Sequence, residues 1–234
     1  MRQDPGALML FAAGMGTRMG ALTKNIPKPL LQLAGRTLID RALDIADAAG
    51  IARKVVNLHY LGAQIATHLA PRTDTALSWE RDQILDTGGG LRAALPLLGP
   101  GPVFTLNPDA VWSGPNPLSQ LQAAWDGARM DCLLLLLPLS AVKGRTGAAD
   151  FVHHPDGRIT RAALTGQHLY LGAQVIRTDR LADIPTSVFS LNQVWDHIIA
   201  DRRAYGLLYS GNWCDVGTPQ GLAEAAELLA SDHV

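Results

Sequence analysis

The chain has 234 residues, 47% of them hydrophobic and 18% charged, the balance of a folded soluble α/β protein rather than a disordered one. Lys and Arg total 20 against 21 Asp and Glu, and a formal net charge of -1 excludes the basic surface that holds a nucleic-acid backbone. Cys132 and Cys214, far apart and without a CxxC partner, exclude a disulfide framework and a structural zinc site, and no apolar run reaches bilayer length, so the sequence reads as cytoplasmic with no membrane partner.

Residues 7–11 are apolar throughout and lead into glycines, the pattern of a buried parallel strand. Apolar positions at helical spacing predict a helix over 37–49, with Thr37 as N-cap and Gly50 as stop. A strand at 55–58, a helix over 61–69, a strand at 75–79 and a helix over 90–98 follow. The strand at 103–106 runs straight into Asn107-Pro108-Asp109. This alternation predicts an α/β fold with a mainly parallel sheet flanked by helices, and ligands at the carboxyl ends of its strands. The second half is less regular: a strand at 132–137, a hairpin of 151–153 and 158–162, a strand at 168–176, a helix over 191–200, a strand at 205–209 and a closing helix over 218–230. No repeat or linker interrupts it. We expect one domain over 1–234, with a nucleotide-binding half to about residue 110 and an acceptor-binding half over about 111–234.

Ala12-Ala13-Gly14-Met15-Gly16-Thr17-Arg18-Met19 follows the first strand, and Pro27-Lys28-Pro29-Leu30 comes soon after. Glycines there let backbone N–H groups approach a phosphate chain, and Arg18 and Lys28 can place positive charge on it. A Gly-x-Gly after a strand equally suits a plain turn. The loop is neither a Walker A sequence nor a dinucleotide fingerprint; what distinguishes it is Lys28, held between two prolines.

The stretch Ala12-Ala13-Gly14-x-Gly16-Thr17-Arg18-Met19, with Pro27-Lys28-Pro29-Leu30 at this distance, resembles the signature of the sugar-nucleotide pyrophosphorylases. With the Asp86-Thr87-Gly88-Gly89-Gly90 loop, it is most similar to N-acetylmuramate α-1-phosphate uridylyltransferases and mannose-1-phosphate guanylyltransferase-like proteins. The resemblance covers nearly the whole chain and implies a Rossmann-like nucleotide-diphospho-sugar transferase fold. It implies catalytic roles for Arg18 and Lys28, and nucleotide contacts from Ala12, Ala13, Gly14, Met15, Gly16 and Thr17. Thr87, Gly88 and Gly89 would flank the base, with Leu85 closing over it. Asp109 matches the aspartate of an Asn-x-Asp motif and Asp215 that of Trp-x-Asp-Val-Gly-Thr, the pair that would hold Mg²⁺, an ion whose preference is for hard oxygens. Asn107, Asp150 and Asn192 match sugar-lining positions.

Each of these residues has a plainer reading. An aspartate at a strand end is commonly a turn or cap residue, and a glycine-rich loop can merely start a helix. Two departures from the family pattern stand out: Ala149 replaces a glycine, and the Glu-Lys-Pro motif with its second phosphate-binding lysine is absent, leaving Lys143 as a positional substitute. The implied partners are an NTP, best UTP, and a sugar 1-phosphate, best N-acetylmuramate 1-phosphate, which points to cell-wall recycling. Alternatives are a mannose-1-phosphate guanylyltransferase or a non-catalytic nucleotide sensor of the same fold. The length suits a monomer or small homo-oligomer.

Overall fold

An apolar pentapeptide without alternation belongs between two covered faces, and Ala7–Phe11 forms such a strand, β1, at the centre of a nine-stranded sheet. The computed structural model describes residues 4–142, 148–162 and 166–231. Two 3-10 turns, Thr17–Thr23 and Lys28–Leu30, lead from β1 to a small hairpin of β2 (Gln32–Leu33) and β3 (Arg36–Thr37). Helix α1 (Leu38–Ala48), β4 (Arg53–Leu58), α2 (Gly62–Leu69), β5 (Thr75–Trp79), α3 (Asp86–Leu98) and β6 (Val103–Leu106) complete the regular part. Then come β7 (Ala110–Ser113), α4 (Pro117–Ala124), β8 (Cys132–Pro138), β9 (Phe151–His153), β10 (Ile159–Arg161) and β11 (His168–Ile176). The chain ends with α5 (Leu191–Ala200), β12 (Ala204–Leu208), β13 (Asn212–Asp215) and α6 (Pro219–Ser231).

β5, β4, β1 and β6 lie side by side and parallel. β11 joins β6 antiparallel and pairs β8 on its other side, β12 adds to β8 in parallel, and the β9–β10 hairpin attaches at the start of β11. The result is the expected mixed, mostly parallel sheet. Successive side chains of β1 point to opposite faces. Leu8 and Leu10 therefore join the core beneath α1, α2 and α4, whereas Ala7 and Met9 join the core beneath α3 and α5. Thr37 caps α1 as expected, its hydroxyl accepting from the Asp40 N–H at 3.1 Å, and the helix buries Leu38, Ile39, Ala42, Leu43 and Ala46. Full burial of a side chain such as Ile39 or Leu43 contributes about 1.5–3 kcal/mol. Among the described residues, no helix is long and apolar enough to cross a membrane.

Two departures from expectation bear on the site. The helix expected from residue 90 begins at Asp86, so the three glycines fill its first turn. The unpaired N–H groups of that turn find an outside acceptor: Gly88 and Gly89 both donate to the Phe189 carbonyl, at 2.9 and 3.0 Å. Glycine is what admits it, since a Cβ on Gly88 would lie 2.4 Å from the Phe189 ring and one on Gly89 2.3 Å from the Ser187 carbonyl oxygen. The second departure is a two-stranded ladder of β7 and β13, strands for which the sequence gives no expectation. Met19, Leu31, Leu33, Val111, Cys214 and Val216 pack beneath it against α6, a third core that seats the loop after β1.

Candidate active site

The strands β1, β4 and β5 end side by side, and buried polar groups tie those ends together. The Ala12 N–H donates to Asn57 Oδ1 at 2.7 Å, Asn57 Nδ2 donates to Glu80 Oε1 at 2.7 Å, and Glu80 Oε2 accepts from the Leu85 N–H at 2.7 Å. A carboxylate buried as deeply as Glu80 requires such donors. Asn57 and Glu80 line a cavity of about 330 Å³ together with the loop after β1, through Ala12, Ala13, Gly14, Gly16, Thr17 and Arg18. Thr87 lines it as well. Met15 is exposed and stands off the wall. Leu85, Gly88 and Gly89 also stand behind it, their N–H groups spent on Glu80 and on the Phe189 carbonyl.

Gly14 is informative because the protein does not demand it. A Cβ there would meet no protein atom within 4 Å, and its backbone is outside the left-handed region. Gly14 also lines the first cavity, so an added methyl would take space beside a bound ligand rather than clash with protein. Gly14→Ala is therefore expected to leave the melting temperature unchanged and to raise the KM for the nucleoside triphosphate by roughly tenfold, the scale of one added methyl in a fitted site. Steady-state kinetics beside a thermal melt check this, and an unchanged KM removes Gly14 from the ligand wall.

Asp109 follows β6 and meets Lys28 on the lining of this cavity, with Lys28 Nζ 2.6 Å from Asp109 Oδ2. Pro27 and Pro29 hold Lys28 in a 3-10 turn, and only 11% of its side chain is exposed. Asp215 arrives through the ladder missed in the sequence: it pairs with Ala110, and the next residue, Val216, donates its N–H to the Asp109 carbonyl at 2.8 Å. Both aspartates, with Arg18 and Asn107, line a second cavity of about 600 Å³. Arg18 faces both cavities.

A third cavity, of about 230 Å³, brings together Asp150 and Asn192, which are distant in sequence, along with Thr87 and Asn107. Asn107 lines all three cavities. A bulge in β11 makes its seat: the register against β8 shifts between Tyr170 and Gln174, and Gly172 (φ +85°) donates no side chain where Asn107 packs. A Cβ on Gly172 would lie 2.9 Å from Asn107 Nδ2. The Asn107 N–H donates to the Gly172 carbonyl at 2.8 Å. Asp150 Oδ2 accepts from the Tyr170 N–H at 3.0 Å. Burial pushes the Tyr170 phenol up, so it stays protonated.

The donor set fits a hard divalent cation that keeps open positions for its substrates. Asp109 and Asp215 offer carboxylate oxygens to one cavity, and among the described residues no cluster of three or more His, Cys, Asp or Glu side chains forms. That suits Mg²⁺ completed by phosphate oxygens and water rather than a zinc or a caged calcium ion. Cys132 and Cys214 are buried, and burial pushes the Cys132 thiol up, in keeping with a packing role. Lys143 lies outside the described residues.

Sequence reasoning missed Asn57, Glu80 and Arg161. Asn57 carried a signal, a polar residue inside the buried run Val55-Val56-Asn57-Leu58. Glu80, directly after β5, occupies a position equivalent to those of Ala12 and Asn107 at their strand ends. Arg161 sits in a hairpin strand and carried none.

Residues 8–137, more than half of the chain, match the family described as a MobA-like NTP transferase domain. Over 98% of this chain and 99% of the relative, the sequence is 38% identical to an N-acetylmuramate alpha-1-phosphate uridylyltransferase of Caulobacter vibrioides. The chain belongs to the sugar-1-phosphate nucleotidyltransferase family. It is an enzyme of the nucleotidyltransferase class. A relative of the same description from Neisseria meningitidis serogroup B is 34% identical over 95% of this chain and 98% of its own. A UDP-glucose pyrophosphorylase from Acinetobacter baumanii superposes with a TM-score of 0.79 at 17% identity, covering 98% of this chain and 94% of that one, a likeness of fold.

Proposed function

We propose that this nucleotidyltransferase joins UTP and N-acetylmuramate 1-phosphate in the presence of Mg²⁺, releasing pyrophosphate, as a step of cell-wall sugar recycling. The observation that carries the reading is the meeting of three cavities at Asn107, with Arg18 and Asp109 shared by the first two and Lys28 paired to Asp109 from the first. In this reading the first cavity takes the base and triphosphate, the second the reacting phosphates, and the third the sugar ring. The near full-length likeness to the Caulobacter uridylyltransferase supports the choice of substrates.

The nucleophile is a sugar-phosphate oxygen, already anionic near neutral pH, so the protein need not supply a general base. Its task is to bring two polyanions together and hold them in line. Arg18, facing both the first and second cavities, stabilises the negative charge that builds on the departing pyrophosphate. Lys28, exchanging Asp109 for phosphate oxygens, spans donor and acceptor. Mg²⁺ on Asp109 and Asp215, when bound, neutralises charge on the reacting phosphates. The Asn57–Glu80 network ties Ala12, at the start of the loop, to the ends of β4 and β5, so that loop and base site keep their spacing.

A matrix of UTP, GTP, dTTP and CTP against the 1-phosphates of N-acetylmuramate, mannose, glucose and N-acetylglucosamine, followed by pyrophosphate release with Mg²⁺ and with EDTA, tests the proposal. Highest kcat/KM for UTP with N-acetylmuramate 1-phosphate, abolished by EDTA, is expected. Preference for GTP with mannose 1-phosphate overturns the substrate choice. Tight nucleotide binding without turnover on any pair overturns catalysis.

A further inference from the structure

The third cavity holds a residue that handling of neutral sugar hydroxyls and phosphate does not explain. Among the described residues, Arg161 is the only cation on its wall; Arg18 lines the other two cavities and Lys28 the first, and neither lines this one. Arg161 is also the best-fixed polar group there. Its guanidinium carbon lies 5.0 Å from the centre of the Phe151 ring and 5.6 Å from that of Trp195. Nε donates to Asp196 Oδ1 at 2.7 Å and Nη2 to the Asn192 carbonyl at 2.9 Å, bonds that use two of the five guanidinium donors.

The support is itself supported. Trp195 Nε1 donates to Gln174 Oε1 at 2.9 Å, and Gln174 Nε2 donates to Thr105 Oγ1 at 3.1 Å, all in the core. The indole that carries the guanidinium therefore cannot turn without breaking buried hydrogen bonds. Asp196 is 57% exposed, so water screens its charge and the pair does not cancel Arg161 as a recognition group. The acids on the same wall, Asp86 and Asp150, accept hydrogen bonds and suit sugar hydroxyls.

We infer that Arg161 selects a sugar 1-phosphate bearing a second negative charge, a carboxylate set away from the phosphate, which its planar fork receives. A planar guanidinium held by stacking is the side chain best matched to a carboxylate. The inference rests on the reading of the third cavity as the sugar subsite. N-acetylmuramate 1-phosphate carries such a carboxylate on its lactyl ether, and N-acetylglucosamine 1-phosphate is the same sugar without it.

The test compares these two sugars, with UTP, in the wild-type enzyme and in Arg161→Gln and Arg161→Lys. Arg161→Gln is expected to lower the ratio of their kcat/KM values on the order of 30- to 100-fold, the worth of a charge-assisted hydrogen bond, with Arg161→Lys between it and wild type. A ratio unchanged in Arg161→Gln overturns the inference, whether both sugars fall together, as for a merely structural residue, or neither falls. A wild-type enzyme inactive on N-acetylmuramate 1-phosphate overturns the proposed substrate instead. The comparison then moves to glucuronate 1-phosphate against glucose 1-phosphate: a ratio that falls in Arg161→Gln sustains the carboxylate role, and an unchanged ratio ends it.

Discussion

Asp109→Asn is expected to lower the rate of pyrophosphate release on the order of 10²–10³-fold while the protein stays folded. The carboxylate has two duties at one point. It holds Lys28 at 2.6 Å, and it faces the same cavity as Asp215, the other hard oxygen donor. An amide keeps the shape and one acceptor oxygen but removes the charge, which is what a dication and a buried ammonium both require. The Asp109 side chain is 29% exposed, so solvent reaches the site and a modest fall in melting temperature accompanies the substitution. Two measurements separate the duties. Calorimetric titration of Mg²⁺ reports the metal role directly, and a thermal melt reports the cost of stranding Lys28. Near-native turnover in Asp109→Asn at saturating Mg²⁺ sinks the metal assignment whatever the melt shows.

The carboxyl edge of the sheet was legible because its signals are local. An unbroken apolar run marks β1, and the glycines and prolines after it mark a loop that forms only short 3-10 turns and no α-helix. Asn107 and Asp109 were placed by one short strand and the residues that follow it. What the sequence hid depends on pairing between distant segments. β7 and β13 are four residues each, too short for periodicity to register, and Asp215 meets Asp109 only because these strands zip together. The first turn of α3 was hidden for a related reason. Three consecutive glycines argue against a helix start on propensity alone, and the carbonyl of Phe189, about a hundred residues on, supplies the acceptor that offsets them. Residues 187–191 also reach the site from that contact: the Leu191 N–H donates to Thr87 Oγ1 at 2.9 Å, linking the wall of the first cavity to that of the third. Arg161 gave no sequence signal because its importance lies in what it stacks on, and Phe151, Trp195 and Gln174 come from three separate elements.

Lys28→Met separates the lysine's two partners. The methionine keeps the length and apolar stem of a side chain that is nearly buried, so packing in the loop is largely retained. What disappears is the ammonium, and with it the cation that holds Asp109. Turnover is expected to fall on the order of 10²–10³-fold, because a positive charge on the phosphates is lost in the transition state. Mg²⁺ affinity without nucleotide is expected to rise, because the ion no longer competes with Lys28 for Asp109. Opposite movements of rate and metal affinity are difficult to produce by misfolding, which lowers both. Unchanged turnover removes Lys28 from phosphate handling, and unchanged Mg²⁺ affinity removes Asp109 from the metal. The double variant Lys28→Met with Asp109→Asn then reports the coupling: if the two groups act as one unit, its loss of rate falls well short of the product of the single losses. Full multiplicativity would mean that the 2.6 Å contact has no part in the reaction.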